Sequence, residues 1–165
     1  MTARPFFFRF ATALWLSVFC LCAANAARAE DAGTTAGESD PRTVYKEIKL
    51  GELVPVSRMT DGGRAIFEPR PVRFAARLAQ LPSPQKADYL KQVMGMMGVT
   101  AGLEVSQRVA LDYGGEKLLA AYVEDEAAVR IGKELKAGDT RTFYAFHVYN
   151  NRYGPALVII SFDEQ

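Results

Sequence analysis

Residues 124–162, EDEAAVRIGKELKAGDTRTFYAFHVYNNRYGPALVIISF, carry the clearest structural signal in the chain. Acidic Glu124, Asp125 and Glu126 stand at the head, Ala128, Ile131 and Leu135 share one helical face, and Lys133 and Lys136 lie near the end before Gly138. Charges in that order complement a helix dipole, so a helix is expected over Glu124 to Ala137. Two strands follow, Thr140 to Tyr149 and Ala156 to Phe162. Between them Asn150-Asn151-Arg152-Tyr153-Gly154 supplies residues that tolerate a tight turn. Just upstream, Val105, Val109, Leu111 and Tyr113 alternate with Ser106, Arg108, Ala110 and Asp112, the period of a half-buried strand. Gly114-Gly115 then turns the chain into a strand over Lys117 to Val123.

Farther from this segment the reading is coarser. Ser83-Pro84 is a helix start, because serine caps free N–H groups and proline lacks the N–H orphaned in a first turn. Ala87, Leu90, Val93, Met94 and Met97 continue as an amphipathic stripe that stops at Gly98. A second helix is expected over Pro71 to Leu81, where Val72, Ala75, Ala76 and Ala79 fall on one face, broadened by Phe74, Leu78 and Leu81. Val44, Ile48 and Leu50 alternate with Tyr45, Glu47 and Lys49 as a first strand, which Leu53 to Val56 continues after a kink at Gly51. Asp61-Gly62-Gly63 is a turn.

A strand pair, a helix and a second strand pair, with the step Leu135-Lys136-Ala137-Gly138-Asp139 before the closing hairpin, resembles the second half of an OB-fold over about Glu104 to Phe162. It is similar to small exported bacterial OB-like domains. That resemblance implies an α+β fold, a small OB-like antiparallel β-barrel with two or three short helices.

The N-terminus reads as a removable export signal. Arg4 and Arg9 precede an uncharged apolar run over Ala11 to Ala24, Ala27-Arg28-Ala29 fits a small-x-small cleavage site, and Glu30-Asp31 follow. The run is shorter than the ~20 apolar residues a membrane-spanning helix needs. The expected organisation is a cleaved signal over 1–29, a flexible leader over 30–41 and one α+β domain over 42–165. The full chain of 165 residues has 20 basic and 19 acidic side chains, a net charge of +1. Removing Arg4, Arg9 and Arg28 brings the net charge to −2, and Cys20 and Cys22 leave with the same segment. The mature chain is thus expected to be cysteine-free, with no disulfide, thiol nucleophile or cysteine ligand. The expected location is the periplasm, otherwise the medium, with no transmembrane insertion of the mature chain. Nucleic acid is a poor ligand for an exported chain without a broad basic field.

His147 is the sole histidine, so a histidine-dependent mechanism must pass through it. No serine sits in a Gly-x-Ser-x-Gly turn, and a histidine on the sheet surface is the simpler reading. Met94, Met96 and Met97 suggest a thioether site for Cu(I), yet Met94 and Met97 lie on the apolar stripe, where methionine fills gaps. Glu124, Asp125 and Glu126 stand too close together on one helix start to flank a glycosidic bond, and dipole complementation accounts for them. Phosphate-loop and dinucleotide patterns are absent. No cofactor or metal is expected.

Two surfaces remain as candidate sites. The hairpin residues His147, Tyr149, Asn150, Asn151, Arg152 and Tyr153, with Tyr144 nearby, form the densest polar-aromatic patch, of the kind an OB-type barrel uses to stack sugars or bases. Arg70, Arg73 and Arg77 lie along the expected helix with no acid between Glu68 and Asp88, a candidate anion-binding face that Arg58 and Arg64 upstream would extend if the chain folds back. The expected function is a non-enzymatic ligand-binding or protein-interaction module of the cell envelope, meeting an envelope protein or an anionic envelope component. The alternative is a small envelope hydrolase dependent on His147.

Overall fold

The structure is a computed structural model that describes residues 44–99 and 102–163. The expected signal, its two cysteines and the leader lie outside the described residues. Among the described residues the chain is α+β, with six strands in one mixed sheet and three helices. In chain order these are β1 (Lys46–Glu47), α1 (Leu50–Val56), β2 (Ala65–Pro84), α2 (Asp88–Met96), β3 (Val105–Asp112), β4 (Leu118–Glu124), α3 (Asp125–Glu134), β5 (Thr140–Asn151) and β6 (Gly154–Phe162). None of the helices is long and apolar enough to cross a membrane.

The second half forms as its pattern demands. Val105, Val109 and Leu111 are buried along β3, and β3 pairs antiparallel with β4 from Val105↔Glu124 to Asp112↔Leu118. Glu124 caps α3 by accepting the Ala127 N–H at 2.9 Å, and Asp125 Oδ1 accepts from Ser106 N at 2.8 Å and Ser106 Oγ at 2.9 Å. Two of the three acids at this helix start, Glu124 and Asp125, are therefore committed to capping and to β3, while Glu126 is exposed. β5 and β6 form the expected hairpin, from Phe143↔Phe162 to Asn151↔Gly154.

Three expectations for the first half are corrected. Pro71 to Leu81 is strand, lying inside the twenty-residue β2, because Val72, Phe74, Ala76 and Leu78 are buried while Ala75 and Arg77 face solvent. Its large apolar residues keep a period of two. Ser83 and Pro84 still belong to β2, paired with Arg108 and Gln107, and α2 begins only at Asp88. Leu50 to Val56 is helix rather than a kinked strand, since Leu50 and Val54, four residues apart, both enter the core.

The sheet is also not wholly antiparallel. β1 runs parallel to β2 through Lys46↔Val72, and β4 runs parallel to β6 through Tyr122↔Val158 and Val123↔Ile159. Between β4 and β6 the chain passes through α3 and β5, and the β5–β6 hairpin brings β6 back in the direction of β4. β2 pairs with β5 up to Arg77 and with β3 from Arg77 onward, so the pairings run β2, β3, β4, β6, β5 and return to β2. The Leu135 to Asp139 step is stitched to this circuit by Leu78 N to Asp139 O at 2.8 Å and Gly138 N to Leu78 O at 2.7 Å.

Two apolar clusters result. The central one collects Phe74, Leu78, Leu111, Phe143, Leu157 and Ile159 from the strands, Leu50 and Val54 from α1, and Ala127, Ala128 and Ile131 from α3. The second packs Leu90, Val93 and Met94 of α2 on Val105, Val148, Ala156 and Val158. Met96 and Met97, by contrast, are exposed.

Strand parity gives a direct test. Phe74 and Leu81 share the broadened face of a helix but opposite faces of a strand. Phe74→Ala is expected to cost about 3–5 kcal/mol, and Leu81→Ala about 0.5 kcal/mol or less, in urea denaturation. Similar losses at both positions would contradict the strand.

Candidate functional site

The β5–β6 turn consists of Arg152 and Tyr153 between the paired Asn151 and Gly154. Asn151 Oδ1 accepts the Tyr153 N–H at 2.7 Å, a side chain standing in for a backbone turn bond. Gly154 has φ +122°, and a methyl group there would meet Val54 Cγ1 at 3.3 Å, so glycine admits both the turn and the close approach of α1. The segment after α1 is tied to the same turn by Met59 N donating to Asn151 O at 3.0 Å.

Beneath this turn lies a cleft of about 780 Å³ on the outer face of β4. Leu118, Ala120 and Tyr122 contribute its floor, and Arg58, Arg108 and Arg152 reach it from the post-α1 loop, β3 and the turn. Gln85 stands at its edge, placed where Gln85 N donates to Ser106 O at 2.8 Å. A second hollow of about 450 Å³ shares Tyr122, Asn151, Arg152 and Tyr153 with the first and adds Arg64 and Tyr149. Among the described residues no aspartate or glutamate lines either one.

Of the expected hairpin site, Asn151, Arg152 and Tyr153 therefore line both hollows, and Tyr153 is 68% exposed. The Arg152 guanidinium lies 4.6 Å from the Tyr153 ring centre and bonds its hydroxyl. Tyr149 is buried against Tyr89, ring centres 5.2 Å apart, and Arg64 covers the Tyr89 ring at 4.1 Å. Burial, reinforced by a hydrogen bond to Tyr122, pushes the Tyr149 phenol well above its usual range. Tyr144 lies elsewhere, donating to Asp163 Oδ1 at 2.7 Å and packing edge-on to Tyr45 at 5.2 Å. The three tyrosines thus do not form one patch.

His147 is not on the sheet surface: it is 6% exposed. Its Nε2 donates to Asn150 Oδ1 at 2.7 Å and its ring stands edge-on to Phe67 at 4.7 Å. The pairing of β5 with β6 is irregular between His147 and Tyr149, which places His147, Val148 and Tyr149 all in buried surroundings. Burial lowers the imidazole below its ordinary value, the Asn150 bond opposes that, and Arg70 adds to the lowering.

The three arginines of the expected anion face lie along β2. Arg73 Nη2 bonds Glu47 Oε2 at 3.0 Å, Arg77 pairs with Asp112, and Arg70 lies over the Phe67 ring at 4.9 Å. Sequence reasoning offered Arg58 and Arg64 only as an extension of the Arg70 to Arg77 face, not as part of the hairpin site, and it missed Gln85, Arg108 and Tyr122. The pairing Arg108↔Tyr122 and the Met59–Asn151 bond bring Arg108, Tyr122 and Arg58 to the turn, the Ser106 bond places Gln85, and Arg64 lies over Tyr89. Among the described residues no group of three or more His, Cys, Asp or Glu could hold a metal ion.

No family model matches the chain, and neither a search of curated proteins nor one of solved structures finds a match.

Two outcomes follow from this geometry. Because the folded state holds His147 neutral while the unfolded chain takes up its proton near pH 6.5, acidification below that value should favour unfolding. The urea midpoint should fall from pH 7 towards pH 5, and His147→Gln, which cannot titrate, should reduce that fall; identical profiles would refute it. Gly154→Ala is expected to lose about 1–3 kcal/mol, from the positive φ and the Val54 contact, as read by thermal unfolding.

Proposed function

We propose that this chain is an exported, non-enzymatic ligand-binding module of the cell envelope, built on a small OB-type barrel. The barrel reading is supported by the returning circuit of pairings, by the parallel β4–β6 contact and by α3 between β4 and β5. In the OB arrangement the helix likewise sits between the third and fourth barrel strands, here β4 and β5. Export, with the periplasm as destination, rests on the N-terminal signal pattern. Intact mass of the exported protein should correspond to a chain beginning at Glu30.

The observation that carries the binding function is the 780 Å³ cleft, within the size that encloses a drug-sized ligand. Guanidinium, amide and phenol groups converge in it over a floor that includes Leu118 and Ala120. Such groups bind through charge and hydrogen bonds, whereas a nucleophile needs a base beside it. His147, which a hydrolase would use, is buried on its Asn150 bond and is not part of the cleft wall.

Ala120 is exposed on the cleft floor, so Ala120→Trp fills the cleft without entering the core. A ligand recovered from envelope extract on the wild-type protein should be lost with Ala120→Trp and kept with His147→Ala. Retention by the filled variant would contradict the cleft, and an activity abolished by His147→Ala would favour the hydrolase.

A further inference from the structure

We propose that the cleft is an anion receptor, selective for a compact organic ligand that presents at least two carboxylate or phosphate groups. The inference rests on the binding-module reading and names the chemical class of its ligand. Arg58, Arg108 and Arg152 converge on one hollow and Arg64 on the adjoining one, and among the described residues neither hollow has a carboxylate in its wall. A guanidinium stays charged at any pH the fold survives, so gathering several without acids costs repulsion that a bound anion would offset.

Ion pairing is the second observation: several arginines outside the cleft meet an acid, although among the described residues Arg70 and Arg141 do not. Arg73 has Glu47 at 3.0 Å, Arg130 has Glu134 at 3.3 Å and Arg77 has Asp112. Among the described residues Arg58 and Arg108 have no ion pair. Their forked N–H donors are left for a ligand, and a guanidinium meets a carboxylate or a phosphate through two parallel bonds.

The size and lining of the cleft favour a compact ligand over a nucleic-acid strand. A volume of 780 Å³ is far larger than one inorganic anion needs and is bounded by the turn and Gln85. Strand binding uses open aromatic platforms along a basic groove, but Tyr153 already carries Arg152 on its ring and Tyr149 is buried. Full-chain net charge is only +1, which supplies no broad field for a polyanionic strand.

Calorimetric titration of the purified chain at low ionic strength tests this with four probes: citrate as tricarboxylate, tripolyphosphate, inorganic phosphate as a single anion, and a thymidine decamer. Citrate or tripolyphosphate should bind more tightly than inorganic phosphate, and the stronger of the two separates a carboxylate source from a phosphate source. Binding should weaken as salt rises towards physiological strength, where the Debye length is ~8 Å. Arg58→Gln, Arg108→Gln and Arg152→Gln combined should weaken it about ten-fold or more, the worth of one charge-assisted contact. A control with equal charge loss, Arg70→Gln, Lys133→Gln and Arg141→Gln combined, should leave it unchanged. Matching melting temperatures of the two triple variants would exclude unfolding as the cause.

Equal weakening by both triple variants, or no binding by the wild type, overturns the proposal. Tighter binding of the decamer than of either small polyanion assigns the cleft to nucleic acid and overturns it as well. If an extracted ligand is lost with Ala120→Trp but kept by the cleft triple variant, the binding module stands and its anionic specificity falls.

Discussion

Strand β6 has no solvent face from Gly154 to Val158, and Ile159 is buried as well. Leu157 and Ile159 point into the central cluster, while Ala156 and Val158 lie under α2 in the second. A strand covered on both sides reads as an unbroken apolar run, as Ala156-Leu157-Val158-Ile159-Ile160 does. Fully burying each such large side chain stabilises by about 1.5–3 kcal/mol, and the clusters on both faces of β6 supply that burial. With β5 fixed on one edge by the hairpin, β4 must take the other. The parallel contact follows, and α3 is the connection that permits it.

Placement of β6 also fixes the candidate site. The turn of Arg152 and Tyr153 emerges from the best-buried strand, and Gly154 lets α1 pack directly beneath it. α2 covers β6 and part of β5, leaving the outer face of β4 open at Ala120 and Leu118. The turn overhangs a floor of Leu118, Ala120 and Tyr122 and so closes one side of the cleft. Tyr122 marks the boundary, touching the α2 cluster on one side and the cleft on the other.

The second half of the chain was legible because each cue agreed with its neighbours: acids before α3, lysines after it, glycine at the stop, alternation on either side. Over Pro71 to Leu81 the cues conflicted. Val72, Ala75, Ala76 and Ala79 fit a helical face, but Val72, Phe74, Ala76 and Leu78 fit a strand, and the larger side chains decide because they bury more area. Pro69 falls in the irregular register between Ile66 and Arg70, where a ladder tolerates a missing N–H. At His147 simple alternation failed because the ladder to β6 slips there. Turn chemistry made the hairpin part of the site readable, whereas Arg58 and Arg108 lie far from it in sequence and become its neighbours only through the Met59–Asn151 bond and the β3–β4 register.

The fate of the β2 arginines shows what an anion partner means in this fold. Arg77 stands opposite Thr140 of β5 and opposite Asp112 of β3, at the residue where β2 passes from one neighbour to the other. Asp112 is 7% exposed and also accepts the Gly114 N–H at 2.8 Å. The Arg77 hydrogen bond, joined by that backbone bond, holds its carboxyl below the usual carboxylate range. One ion pair therefore clamps the strand exchange and the β3–β4 turn together. Arg73 does a similar service for the short β1 through Glu47. The acids that answer these two arginines are absent from the stretch Pro71 to Leu81 and arrive from strands on either side, so a run of sequence free of carboxylates does not make a free cationic surface. At the cleft the fold brings Arg58, Arg108 and Arg152 together from a loop, a strand and a turn, with no acid among the described lining residues, and that asymmetry arises from the fold rather than from local composition.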